Sequence, residues 1–193
     1  MSNTTAAHSI QNWMSWEGGV DLVGVIPTGG DRVPEAPNVI IHVARMVHTP
    51  VGSSPAGMIF FAPREGPPEL VGFVAGDKAV GQYFGPKIFA GTPFEQAPVH
   101  EATIQIETGD DFAAATVVVG NKTFQTRLSS LGPLGLVNRP PTSMAPFLSQ
   151  GVEAAARHAE LIVNGEAYEL QVAPQGPTGG AGAVWAPCGV YAR

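Results

Sequence analysis

One lysine lies in an unusually apolar stretch of this sequence. Lys87 follows a Gly-Pro pair and is flanked by Tyr83, Phe84, Ile88 and Phe89. Because a hydrated ammonium group is costly to bury, such a lysine has two interpretations. Either its side chain snorkels to solvent, or burial lowers its pKa so that the neutral amine serves as a nucleophile. The residues alone leave both interpretations open.

The nucleophile interpretation sets an energetic requirement. A Schiff-base amine must be neutral when it meets a carbonyl carbon. From an ordinary pKa of about 10.4, a lysine that is half neutral at pH 7 needs its pKa lowered by about 3.4, or about 4.6 kcal/mol. Burial lowers lysine pKa values by up to about 3–5, and the apolar neighbours of Lys87 suit that route.

The histidines and the single cysteine are weaker candidates for a functional site. His42 and His48 are an even number of residues apart and can share a strand face, but neither an acid nor His100 completes a convincing ligand set. We therefore predict no metal site. Cys188 is the only cysteine, which excludes an intramolecular disulfide. Its apolar neighbours predict a buried, inert thiol.

Two glutamates are candidates for acid–base chemistry. Glu101 and Glu107 lie on one face of an alternating strand, which is also the pattern of a solvated face. A solvated position is the prediction for Glu107, whereas Glu101, nearer to the lysine segment, stays a candidate. The glycine-rich residues 176–182 lack the strand-then-helix context of a phosphate loop and are predicted to form a flexible loop or lid.

Composition limits the class of protein. The 193 residues are 44% hydrophobic and 13% charged, which predicts one compact domain over residues 1–193 with an N-terminal arm at residues 1–15. The net charge of −6 and the scattered basic residues make nucleic acid an unexpected partner. No apolar run is long enough to span a membrane, and the first residues lack the features of a signal peptide. A cytoplasmic location is the expectation.

Short apolar runs separated by turn residues dominate the chain. Asn164-Gly165, between two such runs, is a strong hairpin signal. The predicted strands are residues 20–26, 38–47, 58–62, 70–75, 99–107, 112–119, 123–128, 160–163, 168–172 and 184–191.

Helical signals are few. Asp77 can cap a short helix that runs through Phe84 and ends at Gly85-Pro86, and one or two further turns are predicted around residues 142–156. Many strands with one or two short helices predict a mainly β fold, a closed or strongly curved antiparallel barrel. A parallel βαβ arrangement is not expected because crossover helices are missing.

The order of these features resembles the acetoacetate decarboxylase family. Residues 70–87 resemble the family's strand, short helix and Tyr-Pro-Lys-type segment, in which the lysine forms the Schiff base. Residues 99–120 are similar to a strand, a turn and an alanine–threonine-rich strand of that family. Two further short family motifs, an Arg-Pro and a Gly-Pro, are similar to Asn138-Arg139-Pro140 and Gln175-Gly-Pro177. The resemblance therefore spans about residues 38–187.

The resemblance implies a closed, cone-like β-barrel that forms a homo-oligomer. It also implies a cofactor-free lyase in which Lys87 forms an imine with a small keto acid. The protonated imine then serves as the electron sink for carbon–carbon cleavage.

Further roles follow from the resemblance and from the chemistry of the side chains. Arg45 or Arg139 would hold the substrate carboxylate by paired hydrogen bonds, and His42 or Glu101 would move protons. Three aromatic side chains would form the dry wall of the site: Tyr83, Phe84 and Phe89.

The sequence departs from the family pattern at two of these positions. The family's decarboxylases often carry a second lysine directly after the nucleophile, where this chain has Ile88, and a family glutamate is replaced, with His42 as the candidate. Aldol, dehydration or cyclisation chemistry therefore stays open beside decarboxylation. The alternatives are a β-barrel that encloses a small apolar metabolite without covalent chemistry, and a purely structural barrel.

Overall fold

A computed structural model describes residues 13–28, 36–141, 147–176 and 179–192. Within these ranges the chain forms a twelve-stranded sheet and one α-helix, which confirms the mainly β class. The strands are β1 Trp13–Val25, β2 Val39–Thr49, β3 Gly52–Phe61, β4 Leu70–Ala75, β5 Val99–Thr108, β6 Phe112–Val119, β7 Lys122–Leu131, β8 Gly135–Arg139, β9 Leu148–Val163, β10 Glu166–Tyr168, β11 Gln171–Val172 and β12 Ala183–Ala192, and the helix is α1 Lys78–Ile88.

The strand pairings close into a ring. Nine strands follow one another in the order β9-β12-β1-β2-β3-β4-β5-β6-β7, and β7 pairs with β9 again. The short strands β8 and β10 pair with β9, and β11 pairs with β1. Within the described ranges, no helix combines the length and the apolar character needed to cross a lipid bilayer.

One pair of strands in the ring is parallel. β4 leads through α1 into β5, and Phe73 of β4 lies opposite Val99 of β5 in a parallel register. The other strand pairings among the described residues are antiparallel. The expectation that crossover helices are missing is therefore wrong at this point, because α1 is one.

The helix begins as predicted and ends later. The Asp77 side chain caps α1 by accepting a hydrogen bond of 2.7 Å from the backbone N–H of Ala79. The helix then continues past Phe84 and includes Pro86, although a proline inside a helix removes one backbone hydrogen bond. The buried side of α1 explains why: Phe84 and Ile88, four residues apart, both pack against the sheet, and their burial offsets the cost of Pro86.

The second predicted helix is wrong where the structure describes it. Residues 148–156 belong to the long strand β9, and residues 142–146 lie outside the described ranges. Ala154 and Ala155 favour helix locally, but β9 pairs with β12, β7 and β8 along its length. Pairing on two sides outweighs the small helix preference of these alanines.

Two hydrophobic clusters lie on opposite faces of β1 and β2. The ring core takes side chains from all nine strands of the ring, among them Val20 and Leu22. The helix-side core takes alternate residues such as Val23 and Ile40, together with Phe84 and other residues of α1. Because side chains alternate along a strand, Asp21 and His42 lie on the helix side of the sheet.

The predicted hairpin turn at Asn164-Gly165 is confirmed. Asn164 and Gly165 both have positive φ values, 51° and 82°, as a two-residue hairpin between β9 and β10 requires.

The prediction of a buried thiol is wrong, because Cys188 is exposed. The register of β12 against β9 shifts between Trp185 and Cys188, and a bulge of this kind re-aims the side chains that follow it.

The predicted N-terminal arm lies mostly outside the described residues. Residues 1–12 are not described, and residues 13–15 already belong to β1. Trp16, which follows, is buried and stacks on Tyr191 of β12 with ring centroids 4.5 Å apart. The start of β1 is thus held to the sheet by aromatic packing.

Candidate functional site

A cavity of about 150 Å³ lies on the helix side of the sheet. Its floor comes from β1, β2 and β12, and its wall comes from the end of α1 and the turn that follows. The residues flanking the undescribed pair 177–178 close another side. Most of the side chains that line it are apolar: Val23, Ile40, Ile88, Phe89, Pro93, Phe94, Phe147, Ala181 and Val184.

An acid and a histidine meet at this cavity. Asp21 of β1 and His42 of β2 are direct cross-strand partners, so their side chains leave the same face of the sheet side by side. His42 Nδ1 lies 2.5 Å from Asp21 Oδ1, and the two side chains are 24% and 25% exposed. Both residues line the cavity, and both also line a small hollow beneath it beside Trp16 and Tyr191.

The surroundings of His42 change its proton affinity. Burial by itself lowers the pKa of His42, but the charge and the short contact of Asp21, together with the charge of Glu153, raise this pKa above its ordinary value of 6.5. His42 therefore keeps its proton to a higher pH than an exposed histidine does. Since Nδ1 faces Asp21, Nε2 is the ring nitrogen left for a ligand.

Aromatic rings fix the orientation of the imidazole. The His42 ring lies nearly parallel to the Phe84 ring, with centroids 6.2 Å apart, and edge-on to Phe89 at 6.4 Å. Phe89 in turn packs edge-on against Phe94, with centroids 6.3 Å apart. Two of these rings, Phe89 and Phe94, also line the cavity, so the polar pair faces a mainly aromatic wall.

A second charge pair borders the cavity. Arg139 of β8 holds Glu153 of β9 through two hydrogen bonds of 2.6 Å each, from Nη1 and Nη2. These side chains are 21% and 15% exposed, and Glu153 lines the cavity. A Cβ added at Gly180 would lie 2.8 Å from Arg139 Nη2, so Gly180 lies directly against this pair. The guanidinium predicted to hold a substrate carboxylate is engaged by Glu153.

Lys87 lies beside the cavity rather than in its wall. The half-buried Lys87 places its Nζ 4.5 Å from the centroid of the Tyr83 ring. It lines a neighbouring hollow of about 240 Å³ together with Glu95 and Tyr191. Ile88 and Phe147 line both spaces and so separate them. Among the described residues, Lys87 and His42 do not share a cavity.

The remaining predicted residues fall into two groups. Phe84 and Phe89 are buried around His42, as a dry wall requires. Glu101 is exposed on the outer face of β5, in a shallow hollow with Glu69 and Lys122.

Arg45 is exposed on β2 and packs against Gly18, where an added Cβ would lie 3.1 Å from Arg45 Cβ. Neither Glu101 nor Arg45 reaches the His42 cavity. Of the residues predicted to move protons or to hold a carboxylate, His42 lines the cavity, and Arg139 borders it through its pair with Glu153.

The sequence reasoning missed Asp21 and Glu153. A signal for Asp21 existed, because it is the only charged residue between Glu17 and Asp31 and stands inside an apolar strand. Glu153 lies in the segment that was predicted to be helical, where its partner on β8 could not be foreseen.

Metal chemistry has no support in the described part of the chain, where no group of three or more histidine, cysteine and acidic side chains could hold an ion. His48 contacts Glu17 and Ser53 instead, at 3.1 and 2.8 Å. His100 lies 3.2 Å from the carbonyl oxygen of Val71.

Comparison with known proteins adds no family to this geometry. No protein-family model matches the chain, and no curated protein matches it. The resemblance to acetoacetate decarboxylases therefore stays a prediction from the sequence.

Proposed function

We propose that this protein binds a small, mainly apolar organic molecule in the cavity beside His42. The observation that carries the proposal is the apolar, partly aromatic cavity with a single His–Asp pair on its floor. Pockets that bind small molecules are mostly apolar and contain a few convergent polar groups, often with perturbed pKa values.

The size of the cavity sets the size of the ligand. A dry cavity of about 150 Å³ lined by Leu, Ile and Phe binds benzene in an engineered protein. The cavity here, at about 150 Å³, accommodates one substituted six-membered ring or an aliphatic molecule of similar volume. Phe89, Phe94 and Phe147 offer ring faces and edges to such a ligand.

Filling the cavity tests the proposal. Val184 is buried on β12 and lines the cavity opposite Asp21, so Val184→Phe places a ring in the ligand's space. We expect ethylbenzene to shift the methyl NMR signals of Ile40 and Val23 in the wild-type protein and to shift them at least tenfold less in the variant at equal ligand concentration.

The matched control is Val118→Phe, an exposed valine on β6 away from the cavity. This variant is expected to bind ethylbenzene as the wild type does. Ethylbenzene binding that survives Val184→Phe in a folded protein would place the ligand elsewhere and overturn the proposal.

A Schiff-base lyase acting through Lys87 is the second candidate. The observation that favours it is the hollow of about 240 Å³ at Lys87, with Ile88, Phe147 and Tyr191 among its lining residues. In this reading, a small keto acid would enter that hollow and form an imine with Nζ.

Borohydride trapping tests the second candidate. The protein is incubated with acetoacetate or pyruvate, reduced and weighed, with Lys87→Ala and the exposed helix residue Lys78→Ala as a matched pair. An adduct in the wild type and in Lys78→Ala that is lost in Lys87→Ala supports the imine. The absence of an adduct with both keto acids argues against this candidate.

A further inference from the structure

Resting on the proposed function, we infer that the His42 cavity selects uncharged molecules with a carbonyl oxygen, which accepts a hydrogen bond from His42 Nε2, over carboxylates of the same shape. The inference concerns the class of ligand. It depends on the charges and on the hydrogen-bond donors that surround the cavity.

The charges around the cavity are already balanced. Asp21 and Glu153 line it with two carboxylates. Arg139 neutralises Glu153 through two hydrogen bonds, and below the raised pKa of His42 the protonated imidazole neutralises Asp21. Among the described residues that line the cavity there is no lysine or arginine. A ligand carboxylate would therefore be a third negative charge without a cation of its own, which is costly away from water.

Among the described side chains that line the cavity, the hydrogen-bond donors other than His42 already have an acceptor. The Thr92 hydroxyl donates its hydrogen to the carbonyl oxygen of Phe89 at 2.7 Å. The Thr92 hydroxyl oxygen in turn accepts a hydrogen bond of 3.2 Å from the backbone N–H of Phe94. The imidazole of His42 is the remaining side-chain donor among the described lining residues that carry polar groups.

The geometry makes His42 a preorganised donor. Its Nδ1 side faces Asp21, and its ring is held between Phe84 and Phe89, so Nε2 points away from the carboxylate. The protonated ring donates from both nitrogens, whereas the neutral ring with its hydrogen on Nδ1 offers only a lone pair at Nε2. A carbonyl oxygen is the acceptor that matches the protonated form.

The charged and titratable groups that face His42 come from several elements. Asp21 on β1 and Glu153 on β9 act on His42 through their charges, and Tyr191 on β12 lines the small hollow with it. Arg139 on β8 is paired with Glu153. Phe84 of α1 and Phe89, just after the helix, pack against the His42 imidazole, and both are apolar. Tyr191 is buried, which raises its pKa far above the working range, so it stays neutral. The preference for a carbonyl ligand should accordingly weaken as the pH rises through the pKa of His42.

Four probes of similar shape test the inference on the whole chain at pH 6: ethylbenzene, acetophenone, benzoate and benzylamine. We expect acetophenone to bind about tenfold more tightly than ethylbenzene, since a hydrogen bond to a charged group contributes about that much. Benzoate is expected to bind more weakly than acetophenone. In the double variant His42→Leu/Asp21→Asn, which leaves no unpaired carboxylate, the ratio of the acetophenone and ethylbenzene affinities should fall to about one.

A second measurement needs no variant. If acetophenone accepts a hydrogen bond from protonated His42, saturation with acetophenone must raise the pKa of His42 followed by NMR, whereas ethylbenzene must not. Equal affinities for acetophenone and ethylbenzene, or tighter binding of benzoate or benzylamine, would overturn this inference and leave the proposed function standing. Failure of all four probes to bind would overturn both.

Discussion

Asp21 and His42 stand opposite each other on β1 and β2, and this register brings a carboxylate to 2.5 Å from an imidazole. Neither residue is unusual by itself, since a lone histidine in a strand is commonly structural. The pair is a candidate site because it lies at the floor of an apolar cavity, where protonated His42 can donate a hydrogen bond to a ligand.

The same pair predicts a pH dependence of stability. The pKa of His42 is raised above its ordinary value of 6.5, so the folded protein holds a proton that the unfolded chain releases. The stabilisation is complete below pH 6.5 and is lost as the pH rises through the raised pKa of folded His42. The resulting fall in unfolding free energy is at most about 1.4 kcal/mol per pH unit.

Urea unfolding of the wild type and of Asp21→Asn between pH 6 and 9 checks this prediction. The informative quantity is the difference in unfolding free energy between the two proteins at each pH, because groups common to both cancel in it. That difference should shrink as the pH rises. Parallel curves would show that Asp21 does not stabilise the proton on His42.

At the scale of elements, the helix decides the position of Lys87. Because α1 continues to Ile88, Lys87 lies four residues after Tyr83 on one face of the helix, and the two side chains stack. Phe84 and Ile88 take the buried face instead. A helix that ended at Phe84, as predicted, would have left the direction of Lys87 open.

Gly85 allows α1 to approach the sheet closely. A Cβ at this position would lie 2.3 Å from a ring carbon of Phe73, a buried side chain of β4. Although alanine favours helix by about 1 kcal/mol over glycine, we expect Gly85→Ala to destabilise the protein by about 1–3 kcal/mol through overpacking.

Chemical denaturation of Gly85→Ala beside Gln82→Ala measures this effect. Gln82 is exposed on the same helix, so its substitution should change stability by no more than about 0.5 kcal/mol. A Gly85→Ala protein as stable as the Gln82→Ala control would mean that α1 and Phe73 have room to separate.

At the scale of the whole molecule, the pairing of β7 with β9 closes the ring and encloses one core. Leu128 of β7 is fully buried among side chains that come from all nine ring strands. The homo-oligomer implied by the sequence resemblance stays a prediction, which the molecular mass in solution will test.

Because the sheet closes into a ring around one core, we expect the protein to unfold cooperatively. Leu128→Ala should lower the unfolding free energy by about 2–5 kcal/mol, since it leaves a cavity in the shared core. The unfolding transition should remain single, because the strands on both sides of the closure depend on the same core. The exposed Val118→Ala on β6 is the control. Two separate transitions in Leu128→Ala would show that the two halves of the ring fold independently.

Short-range physics made much of the sheet predictable. The Asp77 cap and the Asn164-Gly165 turn depend on side chains and backbone angles within a few residues. The alternation along β5, with Glu101 and Glu107 on the exposed face, depends only on the two-residue period of a strand. The continuation of α1 through Pro86 and the strand at residues 148–156 were not predictable in this way, because tertiary contacts outweighed local preference.

The sequence by itself determined the mainly β class and the unusual, apolar setting of Lys87. Only the tertiary structure decided that Asp21 meets His42, that Arg139 is held by Glu153 and that Lys87 turns toward Tyr83. The physical reason is strand register and helix length. Each sets which side chains share a face, and each depends on contacts between residues far apart in the chain.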